Sequence, residues 1–361
     1  MIPIASKQAS KQASSEIKPP LTQNSRIFAF DYLKALCILF VIITHLAVTD
    51  VLRKDFLYPF WIDMAVPIFM IISGYVYSLS CEKRHISSIN NWFTYKNFKP
   101  KFMRILNPFF ITYFIEVVIF YVYYTHTNTE FTPIQYLIIF ITGGWGPGSY
   151  YVPVLIQLLL LFPLLYFLFK KSPLYGALTI ICAQIVLEII IHGLSISVDI
   201  YRLLFFRYMI FILFGMILYY YKDRIRPIHL CLSFVVGGGF ILATNYLGYT
   251  PILFTYWTTT SLPTAFYTFV MVFLFLRIFE CDAVKKIHIP EEISNTFCLL
   301  GRASFHIYLT QMVYYATIYT VVRNLLPLPL ELIISIIVCC AAGVVFYCFE
   351  ERCLKKIPFF A

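Results

Sequence analysis

The sequence predicts an all-α integral membrane protein, a bundle of about ten transmembrane helices with both termini in the cytoplasm. Three observations predict it. Of 361 residues, 60% are hydrophobic and only 13% are charged, with a mean hydropathy of +0.78, whereas a soluble domain carries roughly 25% charged residues. Apolar runs long enough to cross a bilayer recur along the chain, and lipid admits only elements that satisfy their own backbone. The basic residues collect at alternate ends of those runs.

The runs centre on Cys37, Met70, Phe114, Leu160, Gln184, Ile212, Gly239, Val270, Thr310 and Cys340. A further apolar run, residues 133–141, is too short to cross and reads as an interfacial or re-entrant piece. Lys7, Lys11, Lys18 and Arg26 precede the first run. Lys83, Arg84, Lys96, Lys99, Lys101 and Arg104 follow the second, Lys170 and Lys171 the fourth, and Lys222, Arg224 and Arg226 the sixth. Lys285, Lys286 and Arg302 lie between the eighth and ninth, and Arg352, Lys355 and Lys356 close the chain. The alternate loops hold few cations: Arg53, Lys54, Arg202, Arg207 and Arg323. The positive-inside rule therefore places both termini in the cytoplasm. It also explains the net charge of +10 without nucleic acid as a partner.

The ten cysteines fall inside runs or at cytoplasmic ends, with no Cys-x-x-Cys pair, so no structural disulfide is expected. Residues 1–25 are polar and read as a disordered cytoplasmic tail, and the first span as an uncleaved signal anchor. One membrane domain, residues 26–361, follows.

The most informative run is residues 28–48, which carries Asp31, Lys34 and His45. Charged and titratable groups at membrane depth are costly and mark functional sites. Eleven residues separate Lys34 from His45, and at about 100° per residue that returns to within roughly 20° of one helix face. Asp31, three residues earlier, borders the same face. His45 is either a buried histidine bonded to a carbonyl or threonine, or a general base, since imidazole with an ordinary pKa of about 6.5 accepts a proton near neutrality. Lys34 with Asp31 is either a snorkelling pair or a cation that binds a phosphate-bearing donor.

Weaker signals surround this run. Ser73-Gly74 in the second span allows close helix packing or opens a path through the bundle. Lys101 and Arg104 stand at the cytoplasmic mouth of the third span, either as topological anchors or as phosphate contacts. Glu116 is an intramembrane carboxylate able to orient an imidazole or an arginine; Glu188 stands alone in the fifth span. The glycine- and aromatic-rich loop 142–151 is either a connector or a surface for sugar stacking. His306 and Gln311 read as packing polar groups. No metal site, phosphate loop, serine triad or dinucleotide fingerprint is present in the sequence.

In their order, these segments resemble the acyltransferase-3 family of multipass membrane O-acyltransferases, of the kind that acetylate surface polysaccharides. The resemblance rests on Arg26-x4-Asp31-Tyr-Leu-Lys34-x10-His45, on Val66-Pro67 through Ser73-Gly74, and on Lys101-x-x-Arg104 with Asn107-Pro108. It continues in Tyr150-Tyr151-Val152-Pro153-Val154-Leu155, in Arg207-Tyr208 through Gly215-Met216, and in Gly301 through Gln311. Lys34 stands where arginine is common, and Gln311 replaces a frequent late histidine.

The resemblance implies transfer of an acyl group, acetyl or sometimes succinyl, from cytoplasmic acyl-CoA to a hydroxyl of a cell-surface carbohydrate or lipid-linked glycan. His45, Asp31 and Glu116 are then the expected catalytic residues. Lys34, Lys101, Arg104 and Ser73 are expected to contact acyl-CoA, which is a donor substrate, with no bound cofactor and no metal. The expected location is the plasma or inner membrane, among lipids. The alternative is an exporter of a glycan precursor, because buried Lys, His and Glu along a path also suit a proton-coupled carrier. Against it, no inverted repeat or matched pair of broken helices is evident.

Overall fold

The computed structural model describes residues 28–127, 131–252, 254–281, 290–323 and 325–353. The tail over residues 1–25, and with it Lys7, Lys11, Lys18 and Arg26, lies outside them, as do Lys285, Lys286, Lys355 and Lys356. The described residues contain helices and no strand. The longer helices are α1 (Phe28–Thr44), α2 (Ala65–Lys83), α3 (Tyr95–His126), α4 (Pro133–Thr142), α5 (Tyr151–Lys171) and α6 (Pro173–Gly193). They continue as α7 (Met209–Tyr221), α8 (Pro227–Asn245), α9 (Leu262–Glu280), α10 (Glu291–Ala316) and α11 (Leu328–Arg352). Each of the ten expected centres falls within one of them, and the short run became the ten-residue α4.

Eight segments, α2, α3, α5, α6, α7 with its flanking turns, α8, α9 and α11, are long and apolar enough to cross a membrane. Of the other two, α1 is apolar but only 17 residues long, and α10 is long but carries polar groups. They lie against each other, and α1 also touches α2, α9 and α11. A helix walled in by neighbours need not be apolar all round, and α10 accordingly carries Arg302, His306 and Gln311. Around them, α2 and α7 are mostly buried, at 61% and 72% of their apolar windows, while α8 and α11 bury only 17%. The exposed apolar faces of α3, α6, α8 and α11 are the surface offered to lipid.

Glycines allow several close helix crossings. A Cβ on Gly74 of α2 would collide with the Ile212 carbonyl of α7, and one on Gly215 of α7 with the Ile71 carbonyl of α2. On α10, Gly301 leaves room for the Asp31 backbone of α1. Small residues let helices approach backbone to backbone where lipid supplies no hydrophobic drive.

The expected helix over residues 28–48 stops at Thr44. His45 and Leu46 turn to tighter bonds onto the Ile42 and Ile43 carbonyls. The end is held by other elements: Tyr315 Oη donates to the Ile42 carbonyl at 2.7 Å, and Arg53 donates to the Thr44 carbonyl. Tyr319 Oη accepts from the Ala47 N–H at 2.8 Å. Those partners satisfy groups that a continued helix would have paired internally.

Candidate active site

On α1, Lys34, Ile38 and Val41, at helical steps of four and three, face a cavity of about 220 Å³, and His45, in the turn just past the helix end, lines it too. Eleven residues correspond to roughly 16 Å along a helix axis, so the lining extends over about that distance from Lys34 to His45. Neighbouring helices supply the other walls. Ser73 comes from α2, Lys101 and Arg104 from α3, and Ser304, Phe305 and Tyr308 from α10.

A second cavity, about 710 Å³, adjoins it. Val41, His45, Val66, Gly148 and Tyr150 line both. His45 therefore stands at the neck between two chambers. The second is lined by Asp63, Asp199, Arg202, Arg207 and the run Thr258-Thr259-Thr260, and by the loop Gly146-Pro147-Gly148-Ser149.

That loop is folded back and pinned. After the αL end of α4 at Gly143 (φ 98°), Glu116 Oε2 on α3 accepts from the Trp145 N–H at 3.3 Å. Gln311 Nε2 donates to the Pro147 carbonyl at 3.3 Å, and Tyr308 Oη to the Gly148 carbonyl at 2.9 Å. Gly148 has φ 85°, and a Cβ there would lie 3.3 Å from His45 Nε2. The His45 ring also meets Tyr315 edge-on, centroids 5.8 Å apart.

The structure thus gathers Lys34, His45, Ser73, Lys101 and Arg104 around one space. Asp31 lies behind them, buried, its carboxylate 3.1 Å from Lys34 Nζ. Lys101 Nζ donates to the Asn97 carbonyl at 2.8 Å and sits 4.3 Å from the centre of the Trp92 ring. The Ser73 hydroxyl donates to the Phe69 carbonyl at 2.8 Å. Glu116 is set apart. It lines neither cavity and touches no imidazole or arginine; its partner is the loop, because α3 runs beside that loop rather than beside His45.

Other expectations change with the packing. Trp145 does not face the second cavity, because its ring stacks on Phe120 at 4.9 Å and Tyr113 at 5.7 Å. Tyr150 lines the cavities instead. Glu188 is not alone, since it accepts from Tyr201 Oη at 3.0 Å. His306 pairs with Glu350 at 2.5 Å, away from both chambers. All ten cysteines are free in the structure, and among the described residues no cluster of metal-binding side chains occurs.

The model of an acyltransferase domain family, acyltransferase-3, matches residues 27–348. The chain belongs to the acyltransferase-3 family. It is accordingly a multipass membrane acyltransferase. No curated protein and no solved structure matches it. In this acyltransferase-3 protein, the matched segment spans both chambers, from the α1 stripe to α10. The sequence reading passed over Tyr308 and gave Gln311 only a packing role. Among 28 tyrosines in the chain, no single one stands out before the fold shows which carbonyl it reaches.

Proposed function

We propose that this acyltransferase-3 protein moves an acyl group, acetyl in the first instance, from cytoplasmic acyl-CoA to a hydroxyl of a cell-surface carbohydrate or lipid-linked glycan. One observation carries the reading: His45 lines both chambers, one of which is rimmed by Lys34, Lys101 and Arg104. A CoA thioester keeps its phosphates and its reactive carbonyl at opposite ends of a long arm. With the phosphates held by the three cations, the arm lies along the α1 stripe and brings the carbonyl to the neck. The acceptor enters from the second chamber.

The chemistry then needs one base. His45 takes the proton from the acceptor hydroxyl as its oxygen attacks the thioester carbonyl. The carbon–sulfur bond breaks, and the proton passes to the departing thiolate, giving an ester and CoA thiol. A variant route carries the acyl group briefly on the imidazole before the hydroxyl takes it. Asp31 holds Lys34 in place through the 3.1 Å pair. Ser73 lines the donor path. Glu116 acts as a positioning residue, fixing the loop that backs His45.

The arrangement of charge supports ten spans, with α1 and α10 as the two central ones, both termini in the cytoplasm, and a place in the plasma or inner membrane. The test is thiol release from acetyl-CoA and succinyl-CoA by membranes holding the protein, with surface-glycan extract as acceptor. Release should require acceptor and vanish in His45→Ala and His45→Gln. Acylation at the wild-type rate in either variant would remove His45 from the mechanism. Failure to consume acyl-CoA with a competent acceptor, together with loss of the glycan itself in a deletion strain, would favour the exporter.

A further inference from the structure

Arg207 is a buried cation with no carboxylate in ion-pair contact among the described residues. It is 7% exposed, in the turn Phe205–Tyr208 that leads into α7, and it lines the second chamber. Its Nε is buried without a hydrogen-bond partner, and among the described residues no carboxylate reaches ion-pair distance of its guanidinium. Tyr201 and Tyr208 meet it with their ring faces at 4.8 and 5.2 Å. Those contacts stabilise a cation but leave its Nε–H without an acceptor. A buried arginine is ordinarily paired.

Among the described residues, the neighbouring charges do not bond it directly. Glu188 acts on it electrostatically from beyond ion-pair distance, while its carboxylate accepts from Tyr201 Oη. Asp63 is matched by Arg53 at 4.0 Å. Asp199 and Arg202 are both exposed and both line the chamber. The deep member of this set is therefore a cation that lines a space His45 also borders.

We infer that the second chamber binds a carboxylate of the substrate on Arg207, so that the reacting pair carries an acidic group beside the hydroxyl or on the acyl chain. This names the substrate class for the reaction proposed above and rests on that reading. A guanidinium takes a carboxylate by two parallel hydrogen bonds, a geometry no lysine reproduces. Two sources supply that chemistry: an acidic sugar such as a uronate acceptor, or the distal carboxylate of a succinyl donor.

The experiment uses the full-length protein in detergent, as wild type, Arg207→Gln and Arg207→Lys. Methyl glucuronoside and methyl glucoside are compared as thermal stabilisers and as acceptors, each with acetyl-CoA and succinyl-CoA. A charge-assisted pair of this kind corresponds to roughly 10- to 100-fold in affinity. Wild type should prefer the glucuronoside by that margin, Arg207→Gln should lose the preference, and Arg207→Lys should keep part of it. A preference for succinyl-CoA that ignores acceptor charge and disappears in Arg207→Gln supports the same site and assigns the carboxylate to the donor. Equal treatment of all four pairings by wild type overturns the inference, as does any preference that survives Arg207→Gln. If that variant does not accumulate, discrimination in Arg207→Lys equal to wild type overturns it. Selective stabilisation by glucuronoside without thiol release would fail the acyl-transfer reading and keep the anion site; thiol release without selectivity would do the reverse.

Discussion

The two chambers that meet at His45 are built from different material. The smaller is made of helix faces: α1 contributes a stripe at helical spacing, and α2, α3 and α10 close around it. The larger is made mostly of loops and short turns, from residues 142–150, 199–207 and 258–260. The first sits on a rigid frame whose crossings are fixed by Gly74, Gly215 and Gly301. The second is held by individual hydrogen bonds from Glu116, Gln311 and Tyr308. On the function proposed above, the helical frame would suit a donor of one invariant shape, and the loop-walled chamber would be the part that can vary to admit different acceptors.

Substitutions can break or sharpen that contrast. The largest effect belongs to the neck, which both chambers share. His45→Ala should lower acyl transfer by about 10²- to 10⁴-fold, the range of a lost general base, while the protein stays folded. Retained transfer would mean that the chambers meet around some other group. Next are the donor-side cations. Lys101→Ala combined with Arg104→Ala should raise the KM for acyl-CoA by about tenfold, discounted from a buried charged contact because Arg104 is exposed. The acceptor KM should not move. Initial rates at varied donor and acceptor read the two apart, and equal shifts in both would erase the division of labour.

A smaller effect is expected where the loop meets the helix. Gly148→Ala puts a side chain at φ 85° and 3.3 Å from His45 Nε2, and the left-handed conformation alone costs an ordinary residue about 1–2 kcal/mol. Thermal stability should fall modestly and kcat several-fold, with donor KM unchanged. A wild-type kcat in this variant would show that the loop does not set the His45 ring. The smallest effect is at Glu116. Glu116→Gln keeps an oxygen for the Trp145 N–H and should retain activity within about threefold, whereas Glu116→Ala removes a buried hydrogen bond of about 1 kcal/mol and should raise the acceptor KM. A Gln variant as impaired as His45→Ala would return Glu116 to the chemistry itself.

The smaller chamber was readable before the fold was known because most of its α1 lining obeys the helix period. Lys34, Ile38 and Val41 share a face of α1, and His45 stays near that face although the helix ends at Thr44. Lys101 and Arg104 lie one turn apart at a span end that the charge pattern had oriented. The stop at Thr44 was not readable, since it depends on Tyr315, Tyr319 and Arg53 reaching the last carbonyls and the N–H beyond. Trp145 illustrates the limit from the other side. A tryptophan among glycines suits sugar stacking by composition, but α3 presents Tyr113 and Phe120 to the same ring and takes it.

By itself, the sequence determined the membrane class, the centres of ten long helices, the family and the α1 stripe, because hydropathy and a 3.6-residue period act over neighbouring residues. Only the tertiary structure decided that two chambers meet at His45, that Glu116 serves a loop, and that Arg207 is buried among tyrosines with its Nε unpartnered. Those outcomes depend on contacts such as Tyr308 to Gly148 and Gln311 to Pro147, pairs 160 and 164 residues apart. No local pattern encodes such contacts; they form when close-packed helices leave one carbonyl within reach of one side chain.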